Sequence, residues 1–290
     1  RPNDQNPKQK KIWGLGIGHS LGIGFWSLDI SMIHPTAIID PKAELHETVF
    51  VGPYTVIDSG VRVDAGCEIG PHAHLAGETK LGKNNRIHAG AVIGDAPQDL
   101  KYTGEPTRLR IGDDNVIREH VTLHRSNSPD EDTVIGNHNF FMAHSHVGHN
   151  AVVGDHNIFA NGALVGGHAV IADHVFLSGN CAVHQFVRIG SLAMMQGNAA
   201  VSQDLPPFTM VFGVNKLCGL NIVGLRRAGI GVEERTELKA MYRRVFLEGK
   251  KAADLLKETV GERTRELLEF IAASERGVCA HASRKAAATG

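Results

Sequence analysis

From Ile33 onward the chain places an apolar residue at every sixth position: Ile39, Leu45, Val51, Ile57, Val63, Ile69, Leu75, Leu81, Ile87 and Ile93. The phase resumes at Ile111, Ile117 and Leu123, and runs from Ile135 to Val201. Of the 29 positions in this series, only Asp99, Glu105 and Pro129 are not Ile, Leu, Val, Phe or Met. Gly often follows the apolar residue, as at 52, 70, 112, 148 and 166, and the fourth residue on is mostly small, as at Ala37, Ala73, Ala91 and Ala163. A period of six fits neither an amphipathic helix nor an alternating strand; it fits one short strand plus one turn. Three such units close a triangular coil, with the apolar residue pointing inward and the small residue at the corner. Coils stacked at the interstrand spacing of about 4.8 Å make a prism roughly 40 Å long. The expected fold class is mainly β: a left-handed parallel β-helix of hexapeptide repeats, against the usual right-handed crossover, with a C-terminal α-helical domain.

The phase survives its three failures, so the segments 95–110 and 125–134 are expected to be loops thrust out from corners. Long loops on a rigid scaffold are where function concentrates. The repeat stops at Pro206-Pro207, and from Val232 to about Ala273 Leu238, Met241, Val245, Leu255, Leu267 and Ile271 recur at helical spacing. Gly249, Gly261 and Gly277 mark helix ends. The expected domains are a β-helix over 32–206, a helical domain over 207–277 and a loose tail over 278–290. Residues 1–31 combine Lys8, Lys10 and Lys11 with a glycine-interrupted apolar run, and lack a good cleavage site after it. They read as a disordered extension, and the regular pattern starts after Met32.

Thirty basic and 31 acidic side chains leave a net charge of −1, which excludes a polyanion binder working by bulk electrostatics; no nucleic-acid partner is expected. No uninterrupted apolar stretch is long enough for a membrane span. The cysteines at 67, 181, 218 and 279 form no CxxC pair and read as reduced thiols of a cytoplasmic protein.

Histidine is abundant, with 17 copies, most of them within the repeat. His149, His168 and His184 are separated by 19 and 16 residues, close to one coil, and His124 joins them once the second loop is discounted. They are expected to line one edge on successive coils. Such a row suits two chemistries. A histidine can take a proton from a hydroxyl attacking an acyl carbonyl, with backbone N–H groups near Gly166-Gly167 holding the oxyanion. Alternatively, His144 and His149 with a third imidazole from a neighbouring coil or subunit could bind zinc and generate hydroxide.

Several local sequences resemble one family, the UDP-N-acetylglucosamine O-acyltransferases of lipid A biosynthesis. They are Gln98-Asp99-Leu100-Lys101-Tyr102-Thr103-Gly104-Glu105-Pro106-Thr107, Leu123-His124-Arg125, His146-x-x-His149, Gly166-Gly167-His168, Ala182-Val183-His184-Gln185-Phe186 and Asn221-Ile222-x-Gly224-Leu225. The resemblance covers Ile33 to about Gly277. It implies a homotrimer with active sites between subunits, acyl carrier protein as the donor's partner, UDP-N-acetylglucosamine as acceptor, and no metal or redox cofactor. By position, His149 resembles the general base and Gly167 the oxyanion residue. His124, His146, His168, His184 and Gln185 resemble substrate-positioning residues, and Gln98, Asp99 and Lys101 the loop that contacts the UDP-sugar. Asn221 and Arg227 match positions near the phosphopantetheine and the nucleotide, and Gly197, with Met194 beside it, the acyl-length ruler. A glycine there implies room for a longer hydroxyacyl chain.

Four features depart from the family pattern. Asn150 follows the base where an acidic residue is usual, Val223 replaces a common acidic contact, and Ala228 a common second arginine. The loop after His124-Arg125 reads Ser126-Asn127-Ser128-Pro129-Asp130-Glu131-Asp132 instead of beginning with Gly. A 3-amino acceptor sugar is therefore one alternative, and a zinc-dependent γ-type carbonic anhydrase on the same fold another. Arg235, Lys239 and Arg243 share one helix face, which would steer an acidic carrier protein.

Overall fold

The computed structural model describes residues 32–282. The expected extension over 1–31 lies outside them. Strands of mostly two residues stack into three parallel sheets of nine, eight and eleven strands, the last including a C-terminal hairpin. Each residue pairs with the one 18 positions later, as in Val56↔His74, Phe140↔Ile158 and Leu164↔Ala182. Two irregularities mark the extruded loops. Val92 pairs with Thr122 and Thr122 with His146, offsets that exceed the ordinary coil by two hexads and one hexad. The first loop leaves after the strand Val92–Asp95 and returns at Arg108–Ile111; the second spans the gap between Thr122–His124 and Thr133–Ile135. The architecture is the expected left-handed parallel β-helix followed by helices.

The hexad residues form the core. Leu75, Ile93, Leu123, Val147 and Val165 are fully buried down one side, and Phe141 stacks on Phe159 with centroids 4.5 Å apart on another. At one of the three edges the residue behind the apolar one is not small. Asn85, Asn115, Asn139 and Asn157 form a buried ladder there, each side-chain oxygen accepting the backbone N–H of the next coil at 2.7–3.0 Å. The turn residue just before each of them sits in the left-handed region, which favours Gly, Asn, Asp and His over bulkier side chains. Among the described residues seven histidines occupy such turns: His72, His120, His138, His144, His156, His168 and His174. Much of the histidine content thus serves the turns.

Two of the expected boundaries are corrected. The segment assigned to helices from 207 begins with an antiparallel pair, Thr209–Phe212 and Lys216–Leu220, that extends the eleven-stranded sheet. The tail expected to be loose from 278 is ordered through 282. Cys279 is fully buried, and Ala280–His281 adds a parallel strand that takes up the open edge of Lys216–Leu220. Four helices fill the rest: α1 (Ile222–Arg227), α2 (Val232–Phe246), α3 (Ala252–Leu255) and α4 (Glu262–Ala272). Met241, Leu255 and Leu268 make a small second core among them. Asp204 ties this end to the prism, accepting from Arg188 and from Ser274 Oγ, while the Arg188 guanidinium lies 4.5 Å from the Phe270 ring centre. Among the described residues no helix is long and apolar enough to cross a membrane.

Candidate active site

The two loops leave from the same edge of the prism, and below them that edge carries a cavity of about 370 Å³. It is lined by Gln98, His124, His146, Gly148, His149, Gly166, Gly167, Val183, His184 and Gln185. The coil geometry explains the set. His149, Gly167 and Gln185 occupy one register on three coils, since the His168 N–H donates to His149 O and the Phe186 N–H to Gly167 O. Gly148, Gly166 and His184 occupy the register just before it. The expected histidine row is therefore one edge but not one column. His184 precedes that register and His168 follows it, which is why the spacings are 16 and 19 instead of 18.

His149 is held by its Nδ1, which donates to Asn150 Oδ1 at 2.9 Å and leaves Nε2 as the unprotonated nitrogen. A Cβ placed on Gly167 would lie 2.8 Å from both Cε1 and Nε2 of this ring, so only glycine lets the imidazole reach the cavity floor. Among the described residues the Gly167 N–H donates to no protein acceptor. His124 and His184 are oriented the same way, with Nδ1 donating to Ala96 O at 2.5 Å and to Gln185 O at 3.1 Å. His146 shares a 2.8 Å hydrogen bond with Thr122 Oγ1 and is kept neutral, its pKa brought down to about 4 by burial and then by the charges of His124 and His149. His168 meets the His149 ring edge-on at 5.2 Å and stacks on Phe186 at 4.5 Å; burial, with His149 beside it, lowers its pKa.

Asp99 stands at the rim. The Lys101 N–H and then the Asn127 amide, at 3.0 and 2.7 Å, hold its carboxyl below the ordinary carboxylate range. The Lys101 side chain is exposed. Of the predicted residues, Asp99, Lys101 and His168 adjoin the lining without being part of it, and four more lie away from it. Asn221 is 7% exposed and caps α1, accepting from the Gly224 N–H and donating to Leu192 O at 2.9 Å each. Arg227 lies exposed in the last turn of α1, and Gly197 and Met194 belong to a different edge of the prism. The suggested zinc pair is also separated. His144 stacks on His120 at 5.2 Å on the next edge, because four residues carry the chain across a corner-to-corner side of the triangle. Among the described residues no three His, Cys, Asp or Glu side chains converge as ligands of one ion, and His144 and His149, on separate edges, do not form the expected pair.

Sequence reasoning missed the support of His149 through Asn150. Ser126, Asn127, Glu131 and Thr133 surround Asn150, and no periodic signal marks them because they lie in or beside an extruded loop. It also missed a second cavity of about 390 Å³ behind the first loop, where Lys42, Glu78, Tyr102, Thr107 and Arg125 meet.

Comparison with known proteins agrees with the fold. Residues 204–279 match the family model described as UDP-N-acetylglucosamine O-acyltransferase, domain 2, and residues 60–95 and 132–167 match the bacterial transferase hexapeptide model of six repeats. The chain is 44% identical over 254 residues to the acyl-[acyl-carrier-protein]–UDP-N-acetylglucosamine O-acyltransferase of Thermodesulfovibrio yellowstonii, covering 85% of this chain and 98% of that protein. It is similar to the solved structure of LpxA from Acinetobacter baumannii, with a TM-score of 0.83, 39% identity, and coverage of 86% and 99% of the two chains. The UDP-N-acetylglucosamine O-acyltransferase of Moraxella catarrhalis superposes with a TM-score of 0.81 at 37% identity, over 86% of this chain and 100% of that one. At this identity and coverage, and with the fold shared over nearly the whole length of these relatives, the chain belongs to the UDP-N-acetylglucosamine O-acyltransferase family.

Proposed function

We propose that this protein transfers a 3-hydroxyacyl chain from acyl carrier protein to the 3-hydroxyl of the glucosamine of UDP-N-acetylglucosamine, the opening step of lipid A assembly in the cytoplasm. The observation that carries the mechanism is the pairing of His149 Nε2 with the backbone of Gly167 on the next coil, within 2.8 Å of where a Cβ would stand. His149 Nε2 removes the proton from the sugar hydroxyl as its oxygen attacks the thioester carbonyl. The Gly167 N–H receives the oxyanion. Collapse breaks the carbon–sulfur bond, and the imidazolium returns its proton to the departing phosphopantetheine sulfur, which leaves as the thiol and restores neutral His149. Every proton and electron pair is accounted for by these groups, so the reaction as written calls on no metal or redox cofactor.

His124, His146, His168, His184, Gln185 and Gln98 surround this pair and position the acceptor, with Asp99 and Lys101 at the rim. Gly197 and Met194 act as the acyl ruler, and Asn221 and Arg227 flank the donor, from across the cleft of a homotrimer. The exposed Lys239 and the α2 face around it offer the acidic carrier a docking charge; Arg243 and Arg244 on that helix are paired with Glu248 and Glu258.

Acyl transfer from hydroxyacyl carrier proteins of several lengths to UDP-N-acetylglucosamine, with and without EDTA, tests the reading. Turnover that ignores chelation and collapses in His149→Ala supports it; no turnover, or turnover that chelation abolishes, overturns it. The 3-amino analogue belongs in the same assay, since the atypical Ser126–Asp132 loop packs directly on the neighbour of the base. Preferred use of that analogue would move the acceptor assignment from oxygen to nitrogen.

A further inference from the structure

Asn150 is only 5% exposed, and all its polar side-chain atoms are engaged. Its N–H donates to Thr133 Oγ1 at 2.7 Å, and its Nδ2 donates to Ser126 Oγ at 2.8 Å and to Glu131 Oε2 at 3.0 Å. Its Oδ1 accepts from His149 Nδ1 at 2.9 Å and from the Asn127 N–H at 3.0 Å. The amide cannot be turned over. A backbone N–H only donates and a carboxylate only accepts, so Oδ1 must face His149 and Nδ2 must face Glu131. A continuous chain of hydrogen bonds therefore runs from the imidazole through one amide to a carboxylate in the second loop.

We infer that Glu131 is a positioning residue for this reaction, acting through the Asn150 amide to orient His149 and to favour the imidazolium that forms when Nε2 takes the substrate proton. The inference rests on His149 being the base, as proposed above. A charged acceptor at the far end polarises the intervening amide, which raises the negative character of Oδ1. The loop that carries Glu131 is built to hold it. Arg108 donates to Asp132 Oδ1 and to Pro129 O, both at 2.6 Å; Arg110 also bonds Asp132; and the Ser126 N–H donates to Arg108 O at 3.1 Å. The same loop reaches the acceptor side, because Asn127 bonds both Asn150 and Asp99. The orientation of the base and the placement of the rim carboxylate thus depend on one segment.

Other charged and titratable groups face His149: Asp99 from the first loop, His146, and His168, whose Nδ1 lies 3.8 Å from Glu131 Oε2. His124 reaches His149 through His146, and Lys101 lies beside Asp99. The Glu131 side chain is 63% exposed, so solvent screening keeps its influence moderate.

The test compares the unmodified chain with Glu131→Gln, Asn150→Asp and the double variant. It uses steady-state acyl transfer across pH and ¹⁵N-histidine NMR titration, with His149→Gln identifying the base's signal. Glu131→Gln keeps an oxygen for Asn150 Nδ2 while removing the charge. It should lower kcat about 3- to 10-fold with KM nearly unchanged, and move both the acidic limb of the profile and the His149 titration to lower pH by roughly half a unit. Asn150→Asp alone sets two carboxylates against each other, whereas the double variant places one charge directly on Nδ1 and should recover kcat and the acidic limb. Unchanged profiles in Glu131→Gln, or a loss that the double variant does not recover, would overturn the inference. If the unmodified chain transfers no acyl group, the functional reading fails by itself, and the His149 titration still decides the coupling.

Discussion

Gly167→Ala perturbs the proposed site with little else in its way. The added methyl would lie 2.8 Å from His149 Nε2 and Cε1, where ordinary contact begins near 3.4 Å, so the ring must retreat by about 0.6 Å. Gly167 does not occupy the left-handed region, so alanine fits the backbone itself. The retreat stretches the 2.9 Å bond from Nδ1 to Asn150, a cost of about 1 kcal/mol, which corresponds to a Tm lower by roughly 2–4 °C. Catalysis should suffer far more. A base works within hydrogen-bond reach of the proton it removes, and a misplacement of about 1 Å can cost a hundredfold, so kcat should fall about 30- to 100-fold. The assay is single-turnover acyl transfer beside thermal unfolding, with Gly231→Ala as control because its Cβ meets nothing within 4 Å. His149→Gln combined with Gly167→Ala should be no slower than His149→Gln alone, as expected for groups acting as a unit. A Gly167→Ala protein that unfolds normally and keeps kcat within twofold would place the base elsewhere.

The neutral, buried His146 should shape the acid stability. Its folded pKa of about 4 lies below its ordinary value of 6.5, so between these values the unfolded chain binds more protons and stability falls as pH drops through the window, by about 3 kcal/mol in all. Thermal unfolding from pH 7 to 4 should show a flatter decline in His146→Gln, and parallel curves would contradict this. Asp204→Ala should lower Tm by about 4–8 °C, because Asp204 is 1% exposed and its loss strands the Arg188 guanidinium that it pairs at 2.9 Å; a Tm unchanged by calorimetry would refute the anchoring role. Gly197→Met has room at its own site, where a Cβ meets only Gly179 O at 3.6 Å. Competition assays between carrier-bound acyl chains should show the longest chain losing at least tenfold in kcat/KM, and an unaltered chain preference would remove Gly197 from the ruler.

The residues that were legible and those that were not differ in one physical respect. A coil that closes every three hexads imposes burial at fixed intervals, so Leu123, Val147 and Val165 announce themselves by spacing, and so do the loops that interrupt it. The clustering of His124, His149, His168 and His184 was readable because one edge returns once per coil. Their register was not, since a shift of one residue moves a side chain from cavity wall to turn. His144 and His149 show the converse: five residues apart in the chain, they stand on different edges.

By itself, then, the sequence determined the prism, its extruded loops, the helical end and the family, because hexad burial and the local motifs are properties of neighbouring residues. Only the tertiary structure decided how His149 is held, through Asn150 to Ser126, Asn127 and Glu131, and that Ala280–His281 closes a sheet edge. Those contacts join a loop to a coil or a tail to a hairpin. Hydrogen bonds between such distant segments are chosen by which donors and acceptors folding brings within about 3 Å, and no periodicity along the chain encodes that choice.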